Sequence, residues 1–146
     1  WYIVDDVVMG GRSSGTFTLN EDGHGVFAGN VSLENNGGFS SVRHKLDNTP
    51  INGATTVVLK VKGDGRKYQL RIKANARDYY SYIATFATNT EWQEIQIPLQ
   101  EMYPSFRGRK LDQPNFSSDH VKEIAFLIGN KKPESFKLMI DKIELK

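Results

Sequence analysis

Residues 56–73 read TVVLKVKGDGRKYQLRIK and form two alternating runs around a short polar turn. Every second residue is apolar in both runs. The apolar positions in phase are Val57, Leu59, Val61, Tyr68, Leu70 and Ile72. Successive side chains of a β-strand point to opposite faces, so this period of two predicts two strands that each bury one face. The segment 63–65, Gly-Asp-Gly, is typical of a tight turn and favours a hairpin.

The same period recurs along most of the chain. Further strands are predicted at 27–33, 80–86, 92–99, 121–128 and 136–145. The apolar phase slips by one residue near 141–142, which indicates a β-bulge. We expect one helical turn within 99–103 and a long irregular loop over 104–119, where proline, serine and asparagine are frequent. The pattern therefore predicts one all-β domain over residues 1–146, a two-sheet β-sandwich of jelly-roll type.

The composition narrows the class of protein. The 146 residues carry a net charge of +2, and 38% of them are hydrophobic, as in an ordinary globular domain. The absence of cysteine excludes disulfides, thiolate metal ligands and cysteine nucleophiles. The small net charge gives no indication of nucleic acid, and no apolar stretch approaches the ~18 residues of a transmembrane segment. We expect a protein of the cytoplasm or the inner-membrane surface, although the first residue, Trp1, leaves a removed signal peptide open.

Residues 11–15, GRSSG, match the Gly-x-Ser-x-Gly pattern of hydrolase nucleophiles. That pattern requires a helix directly after the serine. Here the segment 16–19, TFTL, follows and has the alternation of a strand. We therefore interpret 11–15 as a turn, and the sequence predicts no catalytic residue.

The histidines give no metal motif. His24, His44 and His120 lie far apart in sequence and lack the spacing of a helical zinc pair, so we interpret them as surface or packing residues. Asp5 and Asp6 could supply oxygen ligands to Ca²⁺, but adjacent acidic residues are also common on solvated surfaces. The sequence predicts no metal and no cofactor.

Four basic residues lie in the runs 56–62 and 67–73, at positions that alternate with the apolar ones. They are Lys60, Lys62, Arg71 and Lys73. If 56–62 and 67–73 pair as a hairpin, these side chains share one basic face, and like charges set across strands are destabilising. Such a face is solvated, or is compensated by a carboxylate such as Glu94, or meets an anionic surface of a lipid or protein.

Several longer strings carry a family signature. They are DVVMGGRS at 6–13, FAGNVSLENNGGF at 27–39, GDGRKY at 63–68, YIATF at 82–86 and FRGR at 106–109. In combination they resemble the complex I intermediate-associated protein 30 family, over nearly the whole chain. The resemblance implies a galactose-binding-like sandwich, in agreement with the alternation. It also implies a non-enzymatic assembly or chaperone-like factor, since mitochondrial members help to assemble respiratory complex I.

On this resemblance the partner is a protein, such as a respiratory-complex subunit or an assembly intermediate, and the lack of a transit peptide suggests a bacterial relative. Polar residues in or near the strings are the candidate partner contacts, because arginine in particular is favoured at interfaces. They are Asp6, Arg12, Asn36, Arg43, Arg66, Arg107 and Arg109. The alternative is that these arginines pair internally with Asp6, Asp64 or Glu34. A second function also stays open: a carbohydrate-binding module, in which Tyr79 and Tyr80 stack on sugar rings.

Overall fold

The computed structural model describes residues 1–6, 11–34 and 38–146, and within these ranges the chain forms twelve β-strands. They are β1 (Tyr2–Asp5), β2 (Ser14–Leu19), β3 (Gly25–Val31), β4 (Ser40–Pro50), β5 (Thr56–Lys62), β6 (Lys67–Lys73), β7 (Ser81–Ala87), β8 (Trp92–Pro98), β9 (Tyr103–Phe106), β10 (Arg109–Lys110), β11 (His120–Ile128) and β12 (Glu134–Leu145). All of their ladders are antiparallel. The predicted all-β class is confirmed.

The strands form two sheets. The seven-stranded sheet has the order β1-β4-β11-β6-β7-β9-β10, and the five-stranded sheet has the order β2-β3-β12-β5-β8. Strands that follow one another in the chain often lie in different sheets, as β4 and β5 do. This repeated crossing produces the two-sheet sandwich that the alternation predicts.

The core lies between the two sheets. The six alternating apolar residues of β5 and β6 are each at most 2% exposed, as their phase predicts. Aromatic rings fill the space between the sheets: Tyr68 of β6 lies edge-on to Phe136 of β12, with ring centroids 6.5 Å apart. Phe136 also packs on Phe27, at 4.8 Å. Buried aromatic pairs of this kind contribute roughly 0.5–1.5 kcal/mol beyond the burial of their area.

The predicted bulge in the last strand is confirmed. The register between β12 and β5 shifts between Ile140 and Lys142. The bulge shifts the alternation of β12 by one residue. The side chains of Ile143 and Leu145 therefore pack against the core, although they are out of phase with the apolar residues before the bulge.

The hairpin predicted for the opening segment is wrong. β5 pairs with β8 and β12, whereas β6 pairs with β7 and β11, so the segment 63–66 crosses from one sheet to the other. Asp64 holds the crossing in place by accepting hydrogen bonds from the Tyr68 hydroxyl at 3.0 Å and the Lys137 amide at 2.8 Å. Alternation shows only that each strand buries one face. Two strands of the same sheet and two strands of opposite sheets give the same pattern, so alternation does not reveal which strands pair.

The long loop predicted over 104–119 is a second correction. This segment contains most of β9 and all of β10, both at the edge of the seven-stranded sheet. The Leu111 amide donates to the Pro104 carbonyl, and the Phe116 amide donates to the Met102 carbonyl, both at 2.9 Å. Strands of two to four residues are too short to show a period, and the proline-rich composition hid them. β1 and β4 were not predicted either.

A 3₁₀ helix over Leu99–Glu101 lies within the predicted helical turn. In the ranges that the structure describes, no helix is both long enough and apolar enough to cross a membrane.

Candidate functional site

The outer face of the seven-stranded sheet carries a line of side chains that crosses six neighbouring strands. In strand order they are Tyr2, Arg43, Ala125, Arg71, Ile83 and Tyr103. We call these six residues the outer row. The immediate sequence neighbours of three row members belong to the core: they are Val42, Phe126 and Leu70. Because successive side chains of a strand point to opposite faces, the outer row points away from the core.

The middle of the outer row is apolar and covered. Ala125 is 3% exposed and Ile83 is 4% exposed, although neither belongs to the core cluster between the sheets. Arg43 and Arg71 flank Ala125, and the aliphatic stems of such side chains can cover apolar surface. The outer face therefore has an apolar floor that neighbouring side chains cover.

Arg71 is held within this face. Its Nε and Nη2 atoms donate to the Gln69 Oε1 atom at 3.0 and 2.8 Å. Burial, followed by the positive charge of Arg43, lowers the pKa of Arg71 to about 10, while Tyr103 acts in the opposite direction. Arg71 remains protonated at neutral pH, so two like charges face each other across Ala125.

The charges on this face are not balanced. No carboxylate of the described residues forms an ion pair with Arg43 or Arg71. Glu123 lies on the same face between Lys45 and Lys73, and it accepts a hydrogen bond from the Tyr2 hydroxyl at 3.3 Å. In these two neighbouring rows one carboxylate, Glu123, lies among the two lysines and the two arginines, so positive charge is in excess there.

The predicted basic face does not exist as one surface. Arg71 and Lys73 point outward from the seven-stranded sheet, whereas Lys60 and Lys62 point outward from the five-stranded sheet, on the other side of the molecule. The reason is the crossing at 63–66, which separates β5 from β6. Lys60 lies opposite Glu94, as the sequence suggested, and its Nζ atom lies 3.5 Å from an Asp141 oxygen.

Asp6 is not on an accessible surface, which corrects its assignment as a partner contact. It is completely buried. Its carboxylate accepts hydrogen bonds from the Ser13 hydroxyl at 2.5 Å, the Ser13 amide at 2.9 Å, the Gly38 amide at 2.6 Å and the Phe39 amide at 3.2 Å. Asp6 therefore ties three segments of the chain together. Asn36, another predicted contact, lies outside the described residues.

The internal pairing that was left open for the arginines is found at Arg66. Its Nη1 atom lies 2.8 Å from the Glu134 Oε2 atom, and its Nε atom donates to the Ser135 carbonyl at 2.7 Å. Its Nε atom also lies 3.6 Å from an Asp64 oxygen. The Glu134 side chain is 1% exposed and the Arg66 side chain 33% exposed, so the ion pair is partly buried, and Arg66 belongs to the framework through its bonds to Glu134 and Ser135.

The other loop arginines are exposed. Arg12 pairs with Glu34 at 3.6 Å on the open surface, an interaction that contributes roughly 0–1 kcal/mol. Arg107 lies in the turn between β9 and β10, with its guanidinium 5.3 Å from the Phe106 ring centroid, and Arg109 is the first residue of the short edge strand β10.

The loop arginines do not gather at one end of the sandwich, as a single partner site on the loops would require. Arg66 precedes Lys67, which lies opposite Ala87 at the end of β7, whereas Arg107 follows β9, whose Ser105 lies opposite Ser81 at the start of β7. Arg66 and Arg107 therefore lie at opposite ends of the seven-stranded sheet.

Ser13 serves the fold. It is 2% exposed, donates its hydroxyl hydrogen to Asp6 and accepts a hydrogen bond from the Ser32 amide at 2.9 Å. Strand β2 begins at the next residue. The interpretation of the GRSSG segment as a turn agrees with this geometry.

Asp5 and Asp6 do not converge on a cation. Asp5 accepts from the Gly15 amide at 2.8 Å and from the Ser40 hydroxyl, while Asp6 has the separate partners given above. Among the described residues, no three histidine, aspartate or glutamate side chains are arranged to hold a metal ion.

Residues 1–140 match the family described as Complex I intermediate-associated protein 30 (CIA30). The chain belongs to this family. A CIA30 relative from Drosophila melanogaster, named Complex I intermediate-associated protein 30, mitochondrial, is 27% identical over 155 residues, with 90% of this chain covered. The chain spans about half of that relative, 52% of its length.

Several solved structures similar to this CIA30 member are carbohydrate-binding modules. A family 11 module from Clostridium thermocellum, in complex with a β-1,3-1,4-mixed-linked tetrasaccharide, matches with a TM-score of 0.70 at 16% identity, covering 99% of this chain and 85% of the module. A family 29 module matches with a TM-score of 0.54 at 12% identity, covering 92% and 80%. These likenesses confirm the galactose-binding-like fold.

Proposed function

We propose that this CIA30 member is a non-catalytic binding domain that holds a protein partner while a respiratory membrane complex is assembled. The observation that carries the proposal is the family match over residues 1–140, which spans strands of both sheets. What the chain shares with the family is therefore the sandwich itself. The Drosophila relative is named for its association with complex I intermediates, and this chain corresponds to about half of it.

The geometry supports binding over catalysis. Ser13, the one nucleophile that the sequence suggested, is occupied by Asp6 and Ser32 inside the framework. The outer row, in contrast, places two arginines and two tyrosines on one face, and in the part of the chain that the structure describes no carboxylate forms an ion pair with either arginine. Arginine and tyrosine are enriched among the residues that dominate protein–protein affinity.

Affinity capture tests the proposal. The tagged domain is used as bait on detergent-solubilised membranes of its own organism, and captured proteins are identified by mass spectrometry. The control bait is the family 11 carbohydrate-binding module, which has the same fold at 16% identity. We expect subunits of complex I, or of its assembly intermediates, to be enriched with this domain only. Equal recovery with both baits would reject the proposal.

A second candidate function is carbohydrate binding, favoured by the modules that share the fold. Tyr79 is 59% exposed and lies edge-on to Phe106 at 5.1 Å, so one ring is available for a sugar, whereas Tyr80 is half-buried beside Tyr82. A glycan array separates the two functions. Binding of a neutral glycan that disappears in Tyr79→Ala would favour the carbohydrate module.

A further inference from the structure

We infer that the outer row is the partner site of this domain and that it takes an acidic peptide segment, whose carboxylates pair with Arg43 and Arg71. This inference rests on the proposed function and names the surface and the chemistry of the partner.

Arg43 and Arg71 carry positive charge that no carboxylate of the described residues pairs with. Arg43 and Arg71 lie on either side of Ala125, about 10 Å apart at their Cα atoms, because two strand spacings separate them. The charge of Arg43 is one of the causes that lower the pKa of Arg71, so the two guanidinium groups repel each other at this distance. Arginine binds a carboxylate through two parallel hydrogen bonds, and apart from its bonds to Gln69 the Arg71 guanidinium has no hydrogen-bond acceptor among the described residues. A carboxylate from outside would relieve the repulsion and use the free donors.

The two outer faces of the sandwich differ in the kind of cation that they carry. On the five-stranded sheet the outward cations are lysines: Lys60 lies 3.5 Å from Asp141 and Lys146 lies 4.0 Å from Glu144, while Lys62 and Lys142 form no ion pair among the described residues. The outer row instead carries Arg43 and Arg71, and neither has a carboxylate of the described residues within ion-pair distance. An arginine can hold a carboxylate through two parallel hydrogen bonds, which a lysine cannot, so charge complementarity favours a carboxylate partner at the outer row.

The length of the outer row suits an extended ligand. The row spans five strand spacings, about 24 Å, which an extended peptide covers with about seven residues. Ala125 and Ile83 are covered by their neighbours, so the side chains that a ligand can reach are those of the arginines and tyrosines. The Tyr103 ring already carries the Lys110 ammonium at 5.4 Å, so that face is not free to stack on a sugar. Arginine forks beside the stems and rings of such side chains suit a peptide that alternates acidic and apolar residues.

The test uses a fluorescein-labelled peptide of about eight residues that alternates glutamate and leucine, with a glutamine–leucine peptide as its neutral counterpart. Binding to the whole chain is followed by fluorescence anisotropy. We expect the acidic peptide to bind and Arg43→Gln/Arg71→Gln to weaken its affinity at least about tenfold. The matched control, Lys60→Gln/Lys142→Gln, removes the same charge from the other sheet and should change the affinity less than about twofold.

Thermal melting of the same variants separates a binding role from a structural one. Arg43→Gln/Arg71→Gln should melt at the temperature of the wild type or above it, because the variant relieves repulsion between like charges. A clear fall in the melting temperature would show that the two arginines serve the fold and would overturn the assignment.

Three binding results would also overturn it: no binding of the acidic peptide, equal losses in the two double variants, or tighter binding of an oligogalacturonate of similar length, which would assign the face to an acidic sugar. The capture experiment distinguishes a wrong assignment of the outer row from a wrong proposed function. Complex I subunits recovered equally by the wild type and by Arg43→Gln/Arg71→Gln would leave the function standing and remove the outer row as its site.

Discussion

Replacing Asp6 with alanine is expected to lower the free energy of unfolding by at least about 3 kcal/mol. The fully buried carboxylate accepts hydrogen bonds from Ser13, Gly38 and Phe39, and each donor left without a partner costs roughly 1–3 kcal/mol. Urea denaturation measures the loss. Asp22→Ala, at an exposed turn, is the control and should stay within about 0.5 kcal/mol of the wild type. A loss below about 1 kcal/mol for Asp6→Ala would contradict the account.

The same carboxylate predicts a specific acid sensitivity. Burial by itself raises the pKa of Asp6, but the hydrogen bonds from Ser13, Gly38 and Phe39 outweigh it and hold the pKa below its ordinary value. A lowered folded-state pKa contributes stability that is complete above the unfolded pKa of ~4 and is lost as the pH falls through the folded pKa. The wild type should therefore lose more stability than Asp6→Asn below about pH 4. Equal acid dependence in the two proteins would show that Asp6 is not the group responsible.

Replacing Arg66 with alanine is the second large effect, with an expected loss of about 2–3 kcal/mol. The Glu134 side chain is 1% exposed while that of Arg66 is 33% exposed, and removal of the guanidinium would leave the buried carboxylate with the Asn130 amide at 2.8 Å and the Lys132 ammonium at 4.0 Å. Thermal and urea unfolding measure the loss. Arg109→Ala, at an exposed position of the edge strand β10, should cost no more than about 0.5 kcal/mol.

A double-mutant cycle identifies the cause of that loss. In a Glu134→Gln background the buried charge is absent, so Arg66→Ala should cost markedly less than it does in the wild type. The same cost in both backgrounds would mean that the bond from Arg66 to the Ser135 carbonyl, and not the ion pair, stabilises this region.

The strings that carry the family resemblance largely encode the framework. The string at 6–13 and the string at 27–39 meet where Asp6 binds Ser13 and Gly38. Gly11 has no room for a side chain because a Cβ there would meet the Asp6 carboxyl group, and a Cβ on Gly29 would meet the Ser14 carbonyl. The string at 63–68 holds the crossing between sheets. The resemblance that these strings carry therefore identifies the fold, and it does not by itself locate the surface that binds a partner.

Alternation predicted the fold class, the β5 and β6 boundaries and the bulge in β12, because each depends on which face of a single strand is buried. It could not predict which strands pair, since that depends on residues distant in sequence. β4 lies beside β11, and β9 beside β7, although about 70 residues separate the first two strands in sequence and about 15 the second two.

The candidate site shows the same limit. Arg43 was singled out as a possible partner contact and Arg71 as part of a basic face, but nothing in the sequence placed them together. Their proximity follows from the order β4-β11-β6, which puts only Ala125 between them. Tyr2 and Tyr103 were missed because β1 and β9 were not predicted as strands. The small residue at 125, between two buried core positions of β11, gave no recognisable signal.

The central claim is that the outer face of the seven-stranded sheet receives the partner, and methyl NMR tests it most directly. Ile83, Ala125 and Leu127 carry methyl groups on that face, while Val58 reports from the outer face of the five-stranded sheet. The spectrum of the methyl-labelled domain is recorded alone and with the complex I assembly intermediate recovered by affinity capture. We predict broadened or shifted signals for Ile83, Ala125 and Leu127 and an unchanged signal for Val58. A perturbed Val58 with unchanged signals from the other three residues would contradict the account.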